Sequence, residues 1–159
     1  MLKKYGLYLL FTVVIFAGQF LRSSNLVTGT PPVIAQTTLQ NQAALASISQ
    51  GPAVIYFWAE WCGVCRLMQS AISAINPDYP LLTVALRSGD DAEVKAYLQS
   101  KQLSWQVVND QQGLIANTYG VSAVPAVFFT DNDGKIVFTT TGYTSELGLR
   151  LRVWLAAWL

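Results

Sequence analysis

Cys62 and Cys65 are the two cysteines of this chain, and they stand two residues apart in Trp61-Cys62-Gly63-Val64-Cys65. Two thiols at that spacing on the first turn of a helix can close a disulfide or open to a dithiol, and the helix N-terminus stabilises a thiolate on the first. The pair is a candidate redox switch, with Cys62 at the exposed end and Cys65 one turn in and more buried. A structural disulfide is the competing reading, but closing so short a loop stabilises little, because the entropic gain grows with loop size. A copper(I) site is the other functional reading, since two soft thiolates can hold that ion. Against it, the motif follows a strand and Met68, the available third ligand, reads as core.

Composition narrows the chemistry further. The chain contains no histidine, which excludes a Ser-His-Asp or Cys-His nucleophile, histidine acid/base work and imidazole metal sites. A formal net charge of +1 with 12% charged residues provides no long-range field for nucleic acid, so no nucleic-acid partner is expected. The motif needs no added cofactor beyond its own disulfide, and no metal site is expected.

The cysteines need a scaffold, and the 159 residues allow one domain after an N-terminal segment is set aside. Residues 5–21 read YGLYLLFTVVIFAGQFL without a formal charge, behind Lys3 and Lys4 and ahead of Arg22. That length suits a short membrane span, and the small-residue cleavage pattern is weak, so residues 1–22 read as an uncleaved anchor in preference to a signal peptide. The two lysines place that end in the cytoplasm and the rest outside. In a bacterium this makes a single-pass inner-membrane protein with a periplasmic domain. Residues 23–36 mix Ser, Asn, Thr, Gly and Pro and read as a flexible linker, which leaves 37–159 as the domain.

Within that domain, residues 37–50 read as a short helix or irregular cover. Residues 53–59 read as a central strand, apolar on both faces. The cysteine helix follows to Ile75, with Cys65, Leu67, Met68, Ala71, Ile72 and Ile75 as its apolar stripe, and Asn76-Pro77 stops it. A strand over 81–86, a helix over 91–101 with Val94, Tyr97 and Leu98 inward, a short extended piece at 105–108 and a helix over 111–119 come next. Residues 126–130 and 135–140 flank Asp131-Asn132-Asp133-Gly134, a hairpin signal. Ser145 caps a last helix whose stripe, Leu147, Leu151, Trp154, Leu155 and Trp158, reads as core. Asp90, Asp91 and Glu93 read as a helix start and not as a metal cluster.

This order, with Val124-Pro125 opening the hairpin, resembles the thioredoxin fold, an α/β fold with a central mixed sheet flanked by helices. Tyr56-Phe57-Trp58-Ala59-Glu60-Trp61-Cys62-Gly63-Val64-Cys65 looks like its active-site strand and helix. The anchor makes the chain similar to the membrane-anchored thiol:disulfide oxidoreductases that include the cytochrome c maturation proteins. More narrowly, residues 84–91, 108–110 and 140–146 resemble the suppressor-of-copper-sensitivity protein D family.

The resemblance implies that Cys62 attacks a partner-protein disulfide and Cys65 resolves the mixed disulfide. It implies a cis Pro125 facing the disulfide, and substrate contacts from Trp61, Gly63, Val64, Val124 and Pro125. Trp61 can equally be groove wall or packing, and Trp58 reads as core. A membrane electron-donor reductase is the implied partner, with copper tolerance or cytochrome c maturation as the setting. Two departures stand out: Tyr56 occupies a place where many thioredoxins have an aspartate, and Met68 one where some relatives have a glutamate. Glu60 is the remaining candidate proton acceptor, weighed against a solvated surface residue. Gly63-Val64 adds no positive charge, which favours a reductant over a strong oxidant.

Overall fold

The computed structural model describes residues 26–44, 48 and 51–159. Its elements run β1 (Val54–Trp58), α1 (Gly63–Ile75), β2 (Leu81–Leu86), α2 (Asp91–Ser100), β3 (Gln106–Asp110), α3 (Leu114–Thr118), β4 (Ala126–Thr130), β5 (Ile136–Thr141) and α4 (Glu146–Ala156). The strands form one five-stranded sheet in the order β3-β2-β1-β4-β5. β1, β2 and β3 are parallel, and β4 and β5 join antiparallel, so the sheet is mixed. This is the thioredoxin-like α/β arrangement.

β1 lies at the centre because it is apolar on both faces and can be covered on both. Tyr56 and Trp58 enter a core built with Met68, Ile72, Ile75, Leu149 and Val153. Ile55 and Phe57, one residue out of phase, enter a second core with Leu82, Val84, Tyr119 and Phe128. The period of two along a strand produces this division. α1, α2 and α4 contribute to the first core, while α3 and the N-terminal segment contribute to the second.

Helix starts follow side-chain capping. Asp90 accepts from the Glu93 N–H at 2.9 Å while the Glu93 carboxylate accepts from the Asp90 N–H at 2.8 Å, a reciprocal box that explains the acidic cluster there. Ser145 caps α4 by accepting from the Gly148 N–H at 3.3 Å.

The segment read as a linker lies against the domain from Leu26 onward. Leu26 and Ile34 are buried, Gly29 pairs with Ile136 on the free edge of β5, and the Tyr119 hydroxyl donates to the Pro32 carbonyl at 2.9 Å. Further on, Leu39 N–H donates to the Val107 carbonyl at 2.7 Å, and the Gln40 side chain bonds Trp105 and Val107. These contacts cover both edges of the sheet, which unpaired would invite another strand. Residues 37–44 are irregular cover, held by a bridge from Thr37 to Ala43.

Four expectations need correction. The piece at 105–108 is a full edge strand, paired in parallel register with β2, because Leu39 and Gln40 supply its outer partners. The helix over 111–119 is only Leu114–Thr118, since Gly113 enters it with φ +78°. Leu67 is not on the buried face of α1 but 70% exposed. The stripe of α4 points outward: Leu147, Leu151, Trp154, Leu155 and Trp158 are exposed, and Leu149, Val153 and Ala156 are buried instead. The helix carries two apolar faces, and the one with smaller residues packs beside α1. The N-terminal anchor expected over 1–22 lies outside the described residues. Among those described, no helix is long and apolar enough to cross a membrane.

Candidate functional site

Parallel strands end on the same side of a sheet, so the loops after β1 and β2 meet there. β1 delivers Ala59-Glu60-Trp61, and Cys62 then adopts φ −81° and ψ 107°, the extended conformation of a helix N-cap. Its N–H donates to the Ala59 carbonyl at 3.2 Å. Cys62 and Cys65 are joined in a disulfide. The Cys62 sulfur also accepts the Cys65 N–H at 3.1 Å, so one of the free donors of the first helical turn is aimed at it.

One peptide segment lies against that sulfur, and the loop after β5 braces it from behind. The Val124 carbonyl oxygen lies 3.7 Å from the Cys62 Sγ, and the Val124-Pro125 bond is cis. Pro125 in turn accepts the Gly142 N–H at 2.8 Å, and Gly142 adopts φ +90°, a backbone that favours glycine and turns the chain after β5 toward the site. Beside it Tyr143 is exposed, and the Thr144 N–H donates to the Met68 sulfur at 3.4 Å. Met68 is fully buried, and its sulfur accepts this N–H from the loop after β5.

Cys62 is 6% exposed and Cys65 2% exposed. The expectation of an open nucleophile is therefore corrected: Cys62 is the more accessible of the two, but the Val124 loop lies over it. Gly63 and Val64 are exposed on the first turn. A Cβ on Gly63 would meet the Arg66 guanidinium at 3.7 Å, an ordinary contact, so sterics do not require glycine there.

Trp61 is 62% exposed and its indole N–H donates to the Arg87 carbonyl at 3.1 Å, which makes it a wall and not core. It flanks a groove with Glu60, Arg66, Arg87 and Glu93. Glu60 is exposed, and its backbone N–H donates to Ser88 Oγ at 3.0 Å. Among the described residues no hydrogen bond joins its carboxylate to either cysteine. Arg87 and Ser88 escaped the sequence reading as site residues, although a polar loop after a strand parallel to β1 had to lie at this end.

Behind the disulfide the sheet is aromatic. Trp58 stacks on Tyr97 with centroids 5.5 Å apart and meets Trp105 edge-on at 5.7 Å, so it is core as read. Tyr56 meets Trp105 edge-on at 5.9 Å. Burial, with a smaller contribution from Tyr97, pushes the Tyr56 hydroxyl well above the usual tyrosine range, which keeps it neutral. Where an aspartate would be an internal base, this chain has a neutral, buried phenol whose oxygen has no partner among the described residues.

A disulfide at a helix N-terminus, under a peptide loop and beside an exposed indole, is suited to thiol–disulfide exchange. The AhpC/TSA family model matches residues 29–139. The chain belongs to the AhpC/TSA family. It is 34% identical over 157 residues to a thioredoxin-like protein of Haemophilus influenzae, covering 95% of this chain and 91% of that one. It is 27% identical over 129 residues to the thiol-disulfide oxidoreductase ResA of Bacillus thuringiensis, 77% and 75% of the two chains. Among solved structures, a secreted Mycobacterium tuberculosis disulfide oxidoreductase homologous to Escherichia coli DsbE superposes with a TM-score of 0.62, at 28% identity over 82% of this chain and 96% of that one. This AhpC/TSA-family chain is a thiol:disulfide oxidoreductase of the thioredoxin-like kind, with the CxxC pair Cys62 and Cys65.

Proposed function

We propose that the protein is a membrane-anchored, periplasmic reductant of partner-protein disulfides. Residues 1–22 are the anchor, residues 23–36 the connection, and 37–159 the catalytic domain. In the dithiol state the Cys62 thiolate attacks one sulfur of a substrate disulfide, and the other substrate sulfur leaves as a thiolate. Cys65 then attacks the Cys62 sulfur, releases the second substrate thiol and regenerates the disulfide. Exposed Trp61, Gly63 and Val64 receive the substrate chain in this reading, with half-buried Val124 and buried Pro125 forming the backing of the site.

The observation that carries the direction is the environment of Cys62. Its sulfur receives one backbone N–H and faces the Val124 carbonyl oxygen at 3.7 Å. A carbonyl dipole opposes a thiolate, so the dithiol form gains little stabilisation and the protein tends to give electrons away. Each turnover leaves Cys62–Cys65 oxidised, so a donor must restore it, and a membrane reductase drawing on cytoplasmic thiols supplies that need. Glu60 faces solvent, and water accepts the Cys65 proton in this reading. Copper tolerance is the proposed setting on the likeness of residues 84–91, 108–110 and 140–146 alone.

Substituting Cys65→Ser tests the exchange. The variant should accumulate mixed disulfides with periplasmic proteins that need Cys62 and dissolve in dithiothreitol. Capture equal to that of the Cys62→Ser/Cys65→Ser control would refute the exchange reading.

A further inference from the structure

The rim around Cys62 differs on the two flanks of α1. On one flank Gln69 donates to the Tyr97 hydroxyl at 2.7 Å and Ser73 accepts from the Trp105 indole at 3.1 Å, so this row faces α2 and the start of β3. Arg66 begins the same row and borders the groove with Glu60, Arg87 and Glu93, two cations and two carboxylates with no net sign. On the other flank the Met68 sulfur takes the Thr144 N–H at 3.4 Å, and α1 packs beside α4. Val64, Leu67 and Ala71 form the row there at the same spacing. Ala71 is buried, while Val64 is 41% and Leu67 70% exposed. Tyr143, 62% exposed, sits in the loop that reaches Met68. One flank of the reacting sulfur is thus charged and balanced, and the other is apolar.

Tyr143 is fixed by its neighbours and not by its own ring. Gly142 before it donates to the Pro125 carbonyl at 2.8 Å, and Thr144 after it donates to Met68. The Thr144 side chain is buried, with its hydroxyl 3.4 Å from that of Thr140. The phenol ring itself makes no hydrogen bond or ring contact among the described residues. The route back to the reacting atom is short: Pro125 joins Val124 through the cis peptide bond, and the Val124 carbonyl oxygen lies 3.7 Å from the Cys62 Sγ. An exposed aromatic on a backbone already held in place has little further freedom to lose on binding, and tyrosine is enriched where proteins meet.

The exchange chemistry decides what comes to this rim. A partner disulfide reaches Cys62 past the Val124 carbonyl, and its cysteine brings a chain with it. An extended chain advances about 3.3–3.6 Å per residue, so the residues on either side of the partner's cysteine fall on the rim. A large apolar side chain set against Val64, Leu67 and Tyr143 leaves water at a gain. A charged one would lose its water there and find no partner. We infer that Tyr143, with Val64 and Leu67, selects partner disulfides whose cysteine stands next to a large apolar residue. The selection rests on the proposed approach of the partner over Cys62.

Two symmetric disulfide dimers, of the peptides Ser-Leu-Cys-Leu-Ser and Ser-Ser-Cys-Ser-Ser, provide the test against the full chain in its dithiol form. Each turnover closes the Cys62–Cys65 disulfide and frees two peptide thiols, and symmetry makes attack on either sulfur equivalent. Rates are divided by those of dithiothreitol on the same dimer, which removes the peptides' own reactivity. The wild-type chain should then favour the leucine dimer about tenfold, within the range an apolar site can discriminate. Tyr143→Ala should erase most of that preference by slowing the leucine dimer alone, and Tyr143→Phe should keep it. Equal normalised rates in the wild-type chain, a readout that needs no substitution, would overturn the inference. A preference that survives Tyr143→Ala, or a loss shared by both dimers as a structural defect would cause, would overturn it too. Exchange with neither dimer would overturn the proposed reduction itself, and the selection with it.

Discussion

Helices α1 and α4 lie side by side on one face of the sheet, and both carry apolar residues at helical spacing. In α1 the stripe is inward, as Cys65, Met68, Ala71, Ile72 and Ile75 are all buried. In α4 the most conspicuous stripe is outward, and the buried positions are the smaller Leu149, Val153 and Ala156. Periodicity identifies a face but not what it faces. Where a helix has one apolar face the two questions have one answer; where it has two, neighbouring volume decides, and the closely packed side takes the smaller residues. The difference separates a helix whose interactions are complete within the domain from one with a surface left for something else.

The largest effect should come from the chemistry at the start of α1. Cys62→Ser should reduce exchange with a protein disulfide to the level of the uncatalysed reaction, while Leu151→Ala on α4 should leave the rate on a soluble substrate unchanged. A turnover assay with both variants checks this, and residual turnover in Cys62→Ser would place the nucleophile elsewhere.

Stability provides the second contrast. Ile72 is fully buried, so Ile72→Ala should cost about 2–5 kcal/mol. Leu147→Ala, on a residue 77% exposed, should stay within about 0.5 kcal/mol in detergent-free urea unfolding. A large loss at Leu147 would mean that the outward stripe is packed in solution.

The third prediction uses the second core. Burial pushes the Tyr119 hydroxyl from 10.0 up to about 12. The folded state then holds a proton that the unfolded state releases between those values, so stability is complete below pH 10.0 and falls as pH rises toward 12. Tyr119→Phe should make that alkaline limb shallower, with buried Tyr56 supplying the rest of it, at a cost of about 1 kcal/mol at neutral pH for the lost bond to Pro32. An unchanged alkaline limb in the variant would assign the loss to other groups.

The smallest effect belongs to Glu60. A positioned general base contributes a factor of about 100 or more, and Glu60→Gln should change the exchange rate by far less. A loss of that size would make its carboxylate the proton acceptor.

Much of this was legible in the residues. The central strand, α1, the box at Asp90 and Glu93 and the hairpin around Asp131-Asn132-Asp133-Gly134 are local patterns, and each was found where its pattern put it. What failed was non-local. The status of 106–110 as a strand depends on Leu39 and Gln40, nearly seventy residues away in the chain. The low exposure of Cys62 depends on Val124, and the outward turn of Leu67 and of the α4 stripe depends on neighbouring elements. For the site, the CxxC pair was visible as two residues, while Arg87, Ser88 and the Gly142–Thr144 loop are joined to it by folding. The cis Val124-Pro125 bond was suggested by resemblance and by nothing in the local residues.

The central claim is that Cys62 and Cys65 give electrons to partner disulfides. Its most direct test is the equilibrium reduction potential of the full chain against glutathione or dithiothreitol buffers, read by the fraction of Cys62–Cys65 disulfide. A value near or below about −220 mV is predicted, in the range of reducing thioredoxin-like proteins. A value near about −120 mV would make the protein a disulfide donor and contradict the direction of electron flow proposed here.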